Sequence, residues 1–265
     1  MDKFNYKKSL GQNFLKDDNI CNKIVDSALI DKDTLVIEIG PGHGAISKYI
    51  VSKCKYFVMY EIDERLKDYL ISNFSKYDNV ELIFNDFMKE NIKKTIEKYD
   101  YKKLFVVANV PYYITTPIIS KFIDESIIPD KFVIMIQKEV ADRLSAKVGS
   151  KEYSSFTVFL NYYYNIKKLF DVNRNCFQPV PNVDSSVICM NKILDNKEVF
   201  DISLFNRIVR ESFKFKRKTI RNNLKNYNLN IISDVLNKYN FDLNVRAEEL
   251  SLDIFIDIAN SLYNK

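Results

Sequence analysis

The sequence predicts an α/β protein with a mainly parallel, doubly wound sheet, followed by a small all-helical domain. The first observation is that short apolar runs alternate with helical segments, an order typical of parallel sheets. The runs lie at residues 35–39, 56–60, 80–84, 104–108 and 132–136. The second is that the apolar period becomes helical beyond the polar stretch 194–201. We therefore expect a sheet domain over residues 1–195 and a helical domain over 196–265.

The later elements follow from the same kind of pattern. Two β-type segments, 156–164 and 186–190, are expected to pair as a hairpin with a long connection through FQPVP at 177–181. Beyond them, apolar residues repeat at i, i+3, i+4 and i+7 from Ile232 and again from Phe255, which predicts two amphipathic helices. Ser251 is the expected N-cap of the second helix.

Composition excludes several classes of protein. The chain has 265 residues and 46% hydrophobic content, enough for a substantial core. No run approaches the roughly 20 apolar residues of a membrane span, and the first 14 residues lack the apolar run of a signal peptide. The four cysteines lack Cys-x-x-Cys spacing and His43 is the only histidine, so a zinc site lacks ligands. We expect a cytoplasmic, monomeric protein without metal or membrane partner.

A glycine-rich turn follows the first strand. The segment IEIGPGHG at 37–44 contains Gly40, Gly42 and Gly44, and a helix is expected to begin near Ala45. Glycines let the backbone turn tightly and approach a ligand, and the N–H groups at a helix start then face that ligand. The same residues satisfy the G-x-G-x-x-G/A pattern, so a nicotinamide dinucleotide, another adenosine cofactor and a plain tight turn all remain open here.

Two acidic residues bear on these alternatives, and the second of them separates the two cofactors. Glu61 follows the second strand, 19 residues after Gly42, where an acid bonds the two ribose hydroxyls of an adenosine in either cofactor. Asp86 follows the third strand and can accept a hydrogen bond from the adenine amino group of S-adenosylmethionine, which dinucleotide sites do not specially require. Read alone, Asp86 could equally cap a turn or helix. Together with Gly40 and Gly42, these residues predict S-adenosylmethionine as the cofactor.

The tetrapeptide NVPY at 109–112 follows the buried fourth strand and predicts the reaction. The 6-amino group of adenine is a poor nucleophile because its lone pair is delocalised into the ring. The Asn109 side-chain oxygen and the Val110 carbonyl, restrained by Pro111, can accept its two hydrogens and aim the lone pair at a methyl group. Tyr112 offers a stacking face, and Phe177 could form the opposite wall for a flipped base. A simple turn and a core phenylalanine are the structural alternatives.

A basic segment opens the helical domain. The net charge of +5 is modest, but residues 212–225 contain six cations and no acid, interleaved with two phenylalanines. The cations are Lys214, Lys216, Arg217, Lys218, Arg221 and Lys225. Nucleic-acid binding by the first five and a solvated helix face are the two interpretations.

Six segments resemble, in order, the motifs of the small-subunit rRNA adenine dimethyltransferases. They are GQNFL at 11–15, EIGPG at 38–42, NVPY at 109–112 with Thr-Pro at 116–117, QKEVADR at 137–143, FQPVPNVDS at 177–185 and FKRKTIRN at 215–222. The match extends from residue 11 to RAEELS at 246–251, nearly the whole chain. The chain departs from the family pattern at Tyr113, Thr115 and Ser154.

The resemblance implies a class I (Rossmann-like) methyltransferase that dimethylates two adjacent adenines in the 3'-terminal hairpin loop of small-subunit (16S) rRNA. The implied substrate is an immature ribosomal subunit, and the implied methyl donor is S-adenosylmethionine. The family's cofactor positions correspond to Asn13, Leu15, Gly40, Glu61, Asp86 and Asn109. The first two belong to an N-terminal segment that closes over the methionine end.

Two other functions remain open beside this one. The large-subunit rRNA methylases that confer macrolide resistance share the Asn-x-Pro-Tyr loop, although the Gly-Pro-Gly turn, the Thr-Pro pair, residues 137–140 and residues 216–222 look more like the dimethyltransferase. An rRNA-binding assembly factor could keep the fold without turnover. The intact Asn109, Tyr112 and Asp86 argue against that loss, because a pure binder needs none of them.

Overall fold

A computed structural model describes residues 12–111 and 114–264 of the chain. Tyr112 and Tyr113 therefore lie outside the described residues. The chain forms two compact units, of which the first comprises Met1–Ala141 and Lys167–Lys192. The second comprises Asp142–Ile166 and Ile193–Lys265. Compared with the boundary expected at residue 195, the helical unit thus also contains a segment from the middle of the chain.

The first unit is built on a seven-stranded sheet. Its strands are β2 (Thr34–Ile39), β3 (Tyr56–Glu61), β4 (Val80–Phe84), β5 (Lys103–Asn109), β6 (Lys131–Gln137), β7 (Tyr164–Val172) and β9 (Ser185–Lys192). They lie in the order β4-β3-β2-β5-β6-β9-β7. Strands β2 to β6 pair in parallel with their neighbours, and β9 joins β6 antiparallel. Two short strands, β1 (Phe14–Leu15) and β8 (Phe177–Gln178), form a separate antiparallel pair.

The predicted fold class is confirmed. Each of the five apolar runs is a strand, and every residue of β2 is buried, as expected for a central strand covered on both faces. The helices near the sheet are α1 (Asp18–Ala28), α2 (Ser47–Ile50), α3 (Lys67–Phe74), α4 (Ile92–Ile96), α5 (Thr115–Asp124) and α6 (Lys138–Leu144). The α1 helix starts where the Asp17 carboxylate accepts hydrogen bonds from the backbone N–H groups of Asn19 and Ile20.

The prediction of a strand at residues 156–164 is wrong. Ser155–Tyr163 form a helix, α7, and the edge strand β7 begins only at Tyr164. The Ser154 hydroxyl caps the helix by accepting the N–H of Thr157, so one departure from the family pattern supplies an N-cap. The strand beside β9 is therefore β7, and the connection through residues 177–181 joins β7 to β9.

The second unit is helical. Besides α7 it contains α8 (Ile202–Ser212), α9 (Ile220–Asn223), α10 (Leu229–Lys238) and α11 (Leu252–Tyr263). Both predicted amphipathic helices are confirmed as α10 and α11, and Ser251 occupies the N-cap position of α11. Buried side chains from these helices, including Phe205, Ile232 and Phe255, form one core. None of the helices within residues 12–111 and 114–264 has the length and apolar composition needed to cross a bilayer.

Candidate active site

The predicted site residues lie at the edge of the sheet where the strand order reverses. From β2 the chain proceeds outward to β3 and β4, and it then returns to place β5 on the other side of β2. The carboxyl ends of these parallel strands lead into Gly40, Glu61, Asp86 and Asn109. Open α/β sheets bind their ligands in the crevice at such a switch point.

A cavity of about 260 Å³ occupies this crevice, close to the lower end of the range for small-molecule sites. All the predicted site residues of the first unit that the structure describes line it. They are Asn13, Leu15, Gly40, Gly42, Glu61, Asp86, Asn109, Pro111 and Phe177. The fourth predicted catalytic residue, Tyr112, lies outside the described part of the chain. The individual roles assigned to these residues stay predictions.

The glycine turn needs glycine for two different reasons. Gly40 and Gly42 have φ angles of +71° and +60°, a left-handed backbone that other residues adopt at a cost. A Cβ atom on Gly42 would lie 2.6 Å from the Phe14 ring, whereas a Cβ on Gly40 would meet no atom within 4 Å. The Gly42 backbone thus lets β1 pack closely on the turn, and Gly40 faces open space. The following helix, α2, begins at Ser47, slightly later than predicted.

Glu61 is held by backbone N–H groups at the end of β3. Its Oε2 accepts from the N–H of Gly42 at 3.0 Å and its Oε1 from the N–H of Asp63 at 2.8 Å. The side chain is buried, and this burial raises the pKa of its carboxyl above the ordinary value. Each oxygen keeps a second lone-pair site, so the carboxylate has a fixed orientation and further capacity to accept hydrogen bonds from a ligand.

Glu38 is a second buried carboxyl in the cavity wall, and the sequence assigned it no role beyond membership of a family motif. It is 1% exposed, and its Oε2 accepts from the Ser47 hydroxyl at 2.6 Å. Burial raises the pKa of Glu38 to about 8, with the nearby Glu61 carboxylate acting in the same direction. An acidic residue inside an otherwise apolar central strand was the available signal, since such strands read as continuous hydrophobic runs.

The N-terminal segment covers one side of the cavity. Leu15 of β1 pairs with Phe177 of β8, and the Lys16 N–H donates to the Cys176 carbonyl at 2.9 Å. The Phe14 ring also contacts the His43 ring edge to face, with centroids 4.6 Å apart. Phe177 lines the cavity but is only 1% exposed, so little of its ring faces solvent. Its stacking on a target base remains a prediction.

Asp63 ties this segment to the end of β3, a link that sequence reasoning missed. Its carboxylate accepts from Gln12 Nε2 at 2.7 Å and is paired with the Arg65 guanidinium through Nε at 2.8 Å. The Arg65 hydrogen bonds, followed by the one from Gln12, hold the pKa of Asp63 at about 2. Asp63 also caps the short 3-10 helix Glu64–Leu66, and an aspartate before a turn of helix was the only sequence signal.

Asp86 and Asn109 supply polar groups on the cavity's other side. Asp86 caps the 3-10 helix Phe87–Lys89 through Oδ1, which accepts the Met88 N–H at 2.9 Å, and Oδ2 accepts no hydrogen bond from the described residues. The helix-capping interpretation of Asp86 is therefore realised, with one oxygen left for a ligand. Asn109 is the last residue of β5 and is half-buried, and its amide makes no hydrogen bond within the described residues.

The basic segment lies in the second unit, in the turn between α8 and α9 and in α9 itself, with Lys225 just beyond the end of α9. All six cations are exposed, and no ion pair involves them among the described residues. The turn is held by Asn223, whose Nδ2 donates to the Ser212 carbonyl at 2.6 Å. The predicted cations therefore project from an ordered turn and a short helix rather than from one face of a long helix.

The chain is similar to known proteins along nearly its whole length. The family model described as ribosomal RNA adenine dimethylase matches residues 3–264. A Bacillus cytotoxicus protein named ribosomal RNA small subunit methyltransferase A is 42% identical over 269 aligned positions, covering 98% of this chain and 92% of the relative.

Two solved structures have a similar fold. A dimethyladenosine transferase from Plasmodium falciparum superposes with a TM-score of 0.79 at 24% identity, covering 95% of this chain and 98% of the other. The 23S rRNA methyltransferase ErmE superposes with a TM-score of 0.77 at 22% identity, covering 94% and 99%. At these identities, both comparisons show the fold alone.

Proposed function

Since the chain belongs to the ribosomal RNA adenine dimethylase family, we propose that it dimethylates the 6-amino groups of two adjacent adenines in the 3'-terminal hairpin loop of 16S rRNA. The observation that carries the proposal is the convergence of Gly40, Glu61, Asp86 and Asn109 on one cavity at the switch point of the sheet. Glu61 and Asp86 supply hydrogen-bond acceptors for a methyl donor that contains adenosine. Asn109 supplies an acceptor for the amino group of an aromatic target base.

The hydrogen-bond acceptors that line the cavity match the hydrogen-bond donors of S-adenosylmethionine. Glu61 offers fixed carboxylate oxygens to ribose hydroxyls, and Asp86 Oδ2 offers an acceptor to the adenine amino group. Gly40 has open space where a side chain would stand, so the backbone can approach the ligand closely. Asn13 and Leu15 would cover the methionine end from the N-terminal segment. When bound, the cofactor supplies a methyl group on a positively charged sulfur.

Asn109 and Val110 orient the 6-amino group of the target adenine for methyl transfer. The Asn109 side-chain oxygen and the Val110 carbonyl accept hydrogen bonds from the two N–H groups of the unmethylated amine, and one of them accepts from the single N–H that remains for the second transfer. These hydrogen bonds draw the nitrogen towards tetrahedral geometry and direct its lone pair. Pro111 restricts the backbone that carries the Val110 carbonyl, and its own carbonyl accepts the Ile114 N–H at 3.1 Å. No general base is needed, because the nitrogen becomes acidic only after alkylation and then releases its proton to water.

A base leaves the RNA stack to reach this site, and aromatic faces compensate for the lost stacking. Tyr112 and Phe177 are the proposed faces, with Phe177 fixed by the pairing of β8 with β1. Exposing its ring to a base requires a small shift of that pair, since Phe177 is buried.

The basic segment of the second unit supplies the proposed phosphate contacts. Lys214, Lys216, Arg217, Lys218 and Arg221 are exposed and suited to phosphate contacts, which position a folded RNA without reading its sequence. The substrate we propose is an immature small subunit, because the loop adenines must be unpaired and must be held within a folded RNA surface that the protein recognises by its shape. The enzyme acts as a monomer in the cytoplasm.

The experiment is to delete the gene and measure dimethyladenosine in small-subunit rRNA by mass spectrometry. We expect both dimethyladenosines to disappear and to return with the intact gene but not with Asn109→Ala. Loss from large-subunit rRNA instead would assign the chain to the resistance-methylase activity. Unchanged modification in both rRNAs would favour an assembly factor without turnover.

A further inference from the structure

Two phenylalanines of the basic segment have opposite environments. Phe213 packs into the core of the second unit, with its ring 6.0 Å from that of Tyr153 and 5.9 Å from that of Phe255. Phe215, two residues later, is 55% exposed. Phe213 is therefore a core residue, whereas Phe215 presents an aromatic face to solvent, and the functions assigned so far do not use it.

The backbone of Phe215 is clamped by one side chain. Asn223 Oδ1 accepts the Phe215 N–H at 3.2 Å, and Asn223 Nδ2 donates to the Phe215 carbonyl at 3.3 Å. The same Nδ2 contacts the carbonyls of Ser212 and Lys218, at 2.6 and 3.4 Å. One asparagine thus closes the turn around Phe215, so the ring is exposed on an ordered backbone and little conformational entropy is lost when it binds.

The charged residues near Phe215 in the sequence, from 212 to 225, are all cations. Its sequence neighbours on both sides are lysines, and the Lys214 Nζ lies 5.5 Å from the ring centroid. Arg217, Lys218 and Arg221 follow within six residues, all exposed, and no acid occurs in residues 212–225. An apolar protein surface would have to bury these cations beside the ring at a large desolvation cost. A strand of nucleotides supplies a flat base for the ring and phosphates for the cations.

We propose that Phe215 stacks on an unpaired RNA base while the neighbouring cations contact the phosphates on either side of it. This inference rests on the proposed function, because it assumes that the basic segment meets RNA. It adds an RNA contact that selects unpaired nucleotides to the phosphate contacts proposed for the cations of the same segment. Duplex RNA does not offer this contact, because its bases are stacked on each other.

The test compares two probes with the same number of phosphates. One is oligoadenylate of about 12 nucleotides, and the other is a strand of equal length made of abasic spacers. Fluorescence anisotropy measures the binding of each to the full-length protein. We expect Phe215→Ala to weaken oligoadenylate binding by about tenfold and Phe215→Tyr to restore it, with abasic binding unchanged in both. Tyr263→Ala is the matched control, since Tyr263 is equally exposed in the same unit.

A spectroscopic readout is available because the chain contains no tryptophan. Phe215→Trp keeps a stacking ring and introduces a single indole, whose fluorescence should be quenched by oligoadenylate and not by the abasic strand. Equal quenching by both strands, or equal oligoadenylate affinity in Phe215→Ala and the wild type, would overturn the stacking contact. Full recovery by Phe215→Leu would also overturn it, because an aliphatic side chain cannot stack as a ring does.

Failure of this inference is distinguishable from failure of the proposed function. A variant with Lys214, Lys216, Arg217 and Lys218 all changed to Gln should lose affinity for both probes. If that variant binds both probes as the wild type does, the RNA-binding role of the segment is wrong. If it loses both while Phe215→Ala changes neither, only the stacking contact is wrong.

Discussion

Replacing Gly42 by alanine should separate the two reasons for which the turn needs glycine, the left-handed backbone and the close packing of Phe14. The new Cβ would lie 2.6 and 2.8 Å from two carbon atoms of the Phe14 ring, closer than real Cβ contacts. Phe14 belongs to β1, whose pairing with β8 covers one side of the cavity. The substitution must therefore displace either the turn or β1. Gly40→Ala is the matched control, because Gly40 has the same left-handed backbone and no atom within 4 Å of the added carbon.

The magnitudes follow from these two environments. A left-handed backbone costs an L-residue about 1–2 kcal/mol, and this cost applies to both variants. Overpacking adds about 1–3 kcal/mol where a neighbour must move, and this cost applies only to Gly42→Ala. We expect the free energy of unfolding to fall by about 1–2 kcal/mol in Gly40→Ala and by about 2–5 kcal/mol in Gly42→Ala.

Urea denaturation without cofactor measures both free energies, since bound ligand would otherwise mask the difference. Phe14→Ala should remove the clash, so that Gly42→Ala costs no more than Gly40→Ala in that background. Equal losses in the two single variants, with Phe14 intact, would refute the close packing of β1 on the turn.

Three further predictions concern acidic and amide groups of the cavity. Asn109→Ala should lower the single-turnover rate of methyl transfer on the order of a hundredfold while changing cofactor affinity little, and a near-normal rate would contradict its role on the amine. Glu61→Ala should weaken S-adenosylmethionine binding by about 1–3 kcal/mol in calorimetry, whereas binding of NAD in place of S-adenosylmethionine would show that the cofactor is misassigned. Glu38 has a pKa of about 8 in the folded chain against an ordinary 4.5, so the folded state binds the proton more tightly and stability falls as pH rises between these values. Glu38→Gln should flatten this fall, which amounts to at most about 1.4 kcal/mol per pH unit; an unchanged slope would mean that Glu38 is not its source.

Much of the fold could be predicted because buried parallel strands are nearly continuous apolar runs. Residues 35–39 and 104–108 show this directly, and the structure extends each run by one or two residues. The positions of Gly40, Glu61 and Asn109 around one cavity could be predicted too, because each lies at the carboxyl end of a strand of the same sheet or directly after it. Sequence order and parallel topology together bring such residues to one edge.

Residues 156–164 show why the rest could not be predicted. The segment is rich in aromatic residues and includes β-branched Thr157 and Val158, a composition that favours a strand. Thr157, Val158 and Leu160 are nevertheless buried along one helix, and Val158 joins the helical unit's core. A short apolar run does not distinguish a strand from a buried helix, so tertiary packing decided between them. The Gln12–Asp63 hydrogen bond could not be predicted either, since it joins residues 51 positions apart.

The most direct test of the central claim offers labelled S-adenosylmethionine and the purified protein two substrates in separate reactions. One contains small ribosomal subunits that lack the adenine modification, and the other contains protein-free large-subunit rRNA. We predict label only in the small-subunit rRNA, recovered after digestion as dimethyladenosine from two adjacent positions of the 3'-terminal hairpin. Label found only in the large-subunit rRNA, or in neither substrate despite cofactor binding, would contradict the proposed activity.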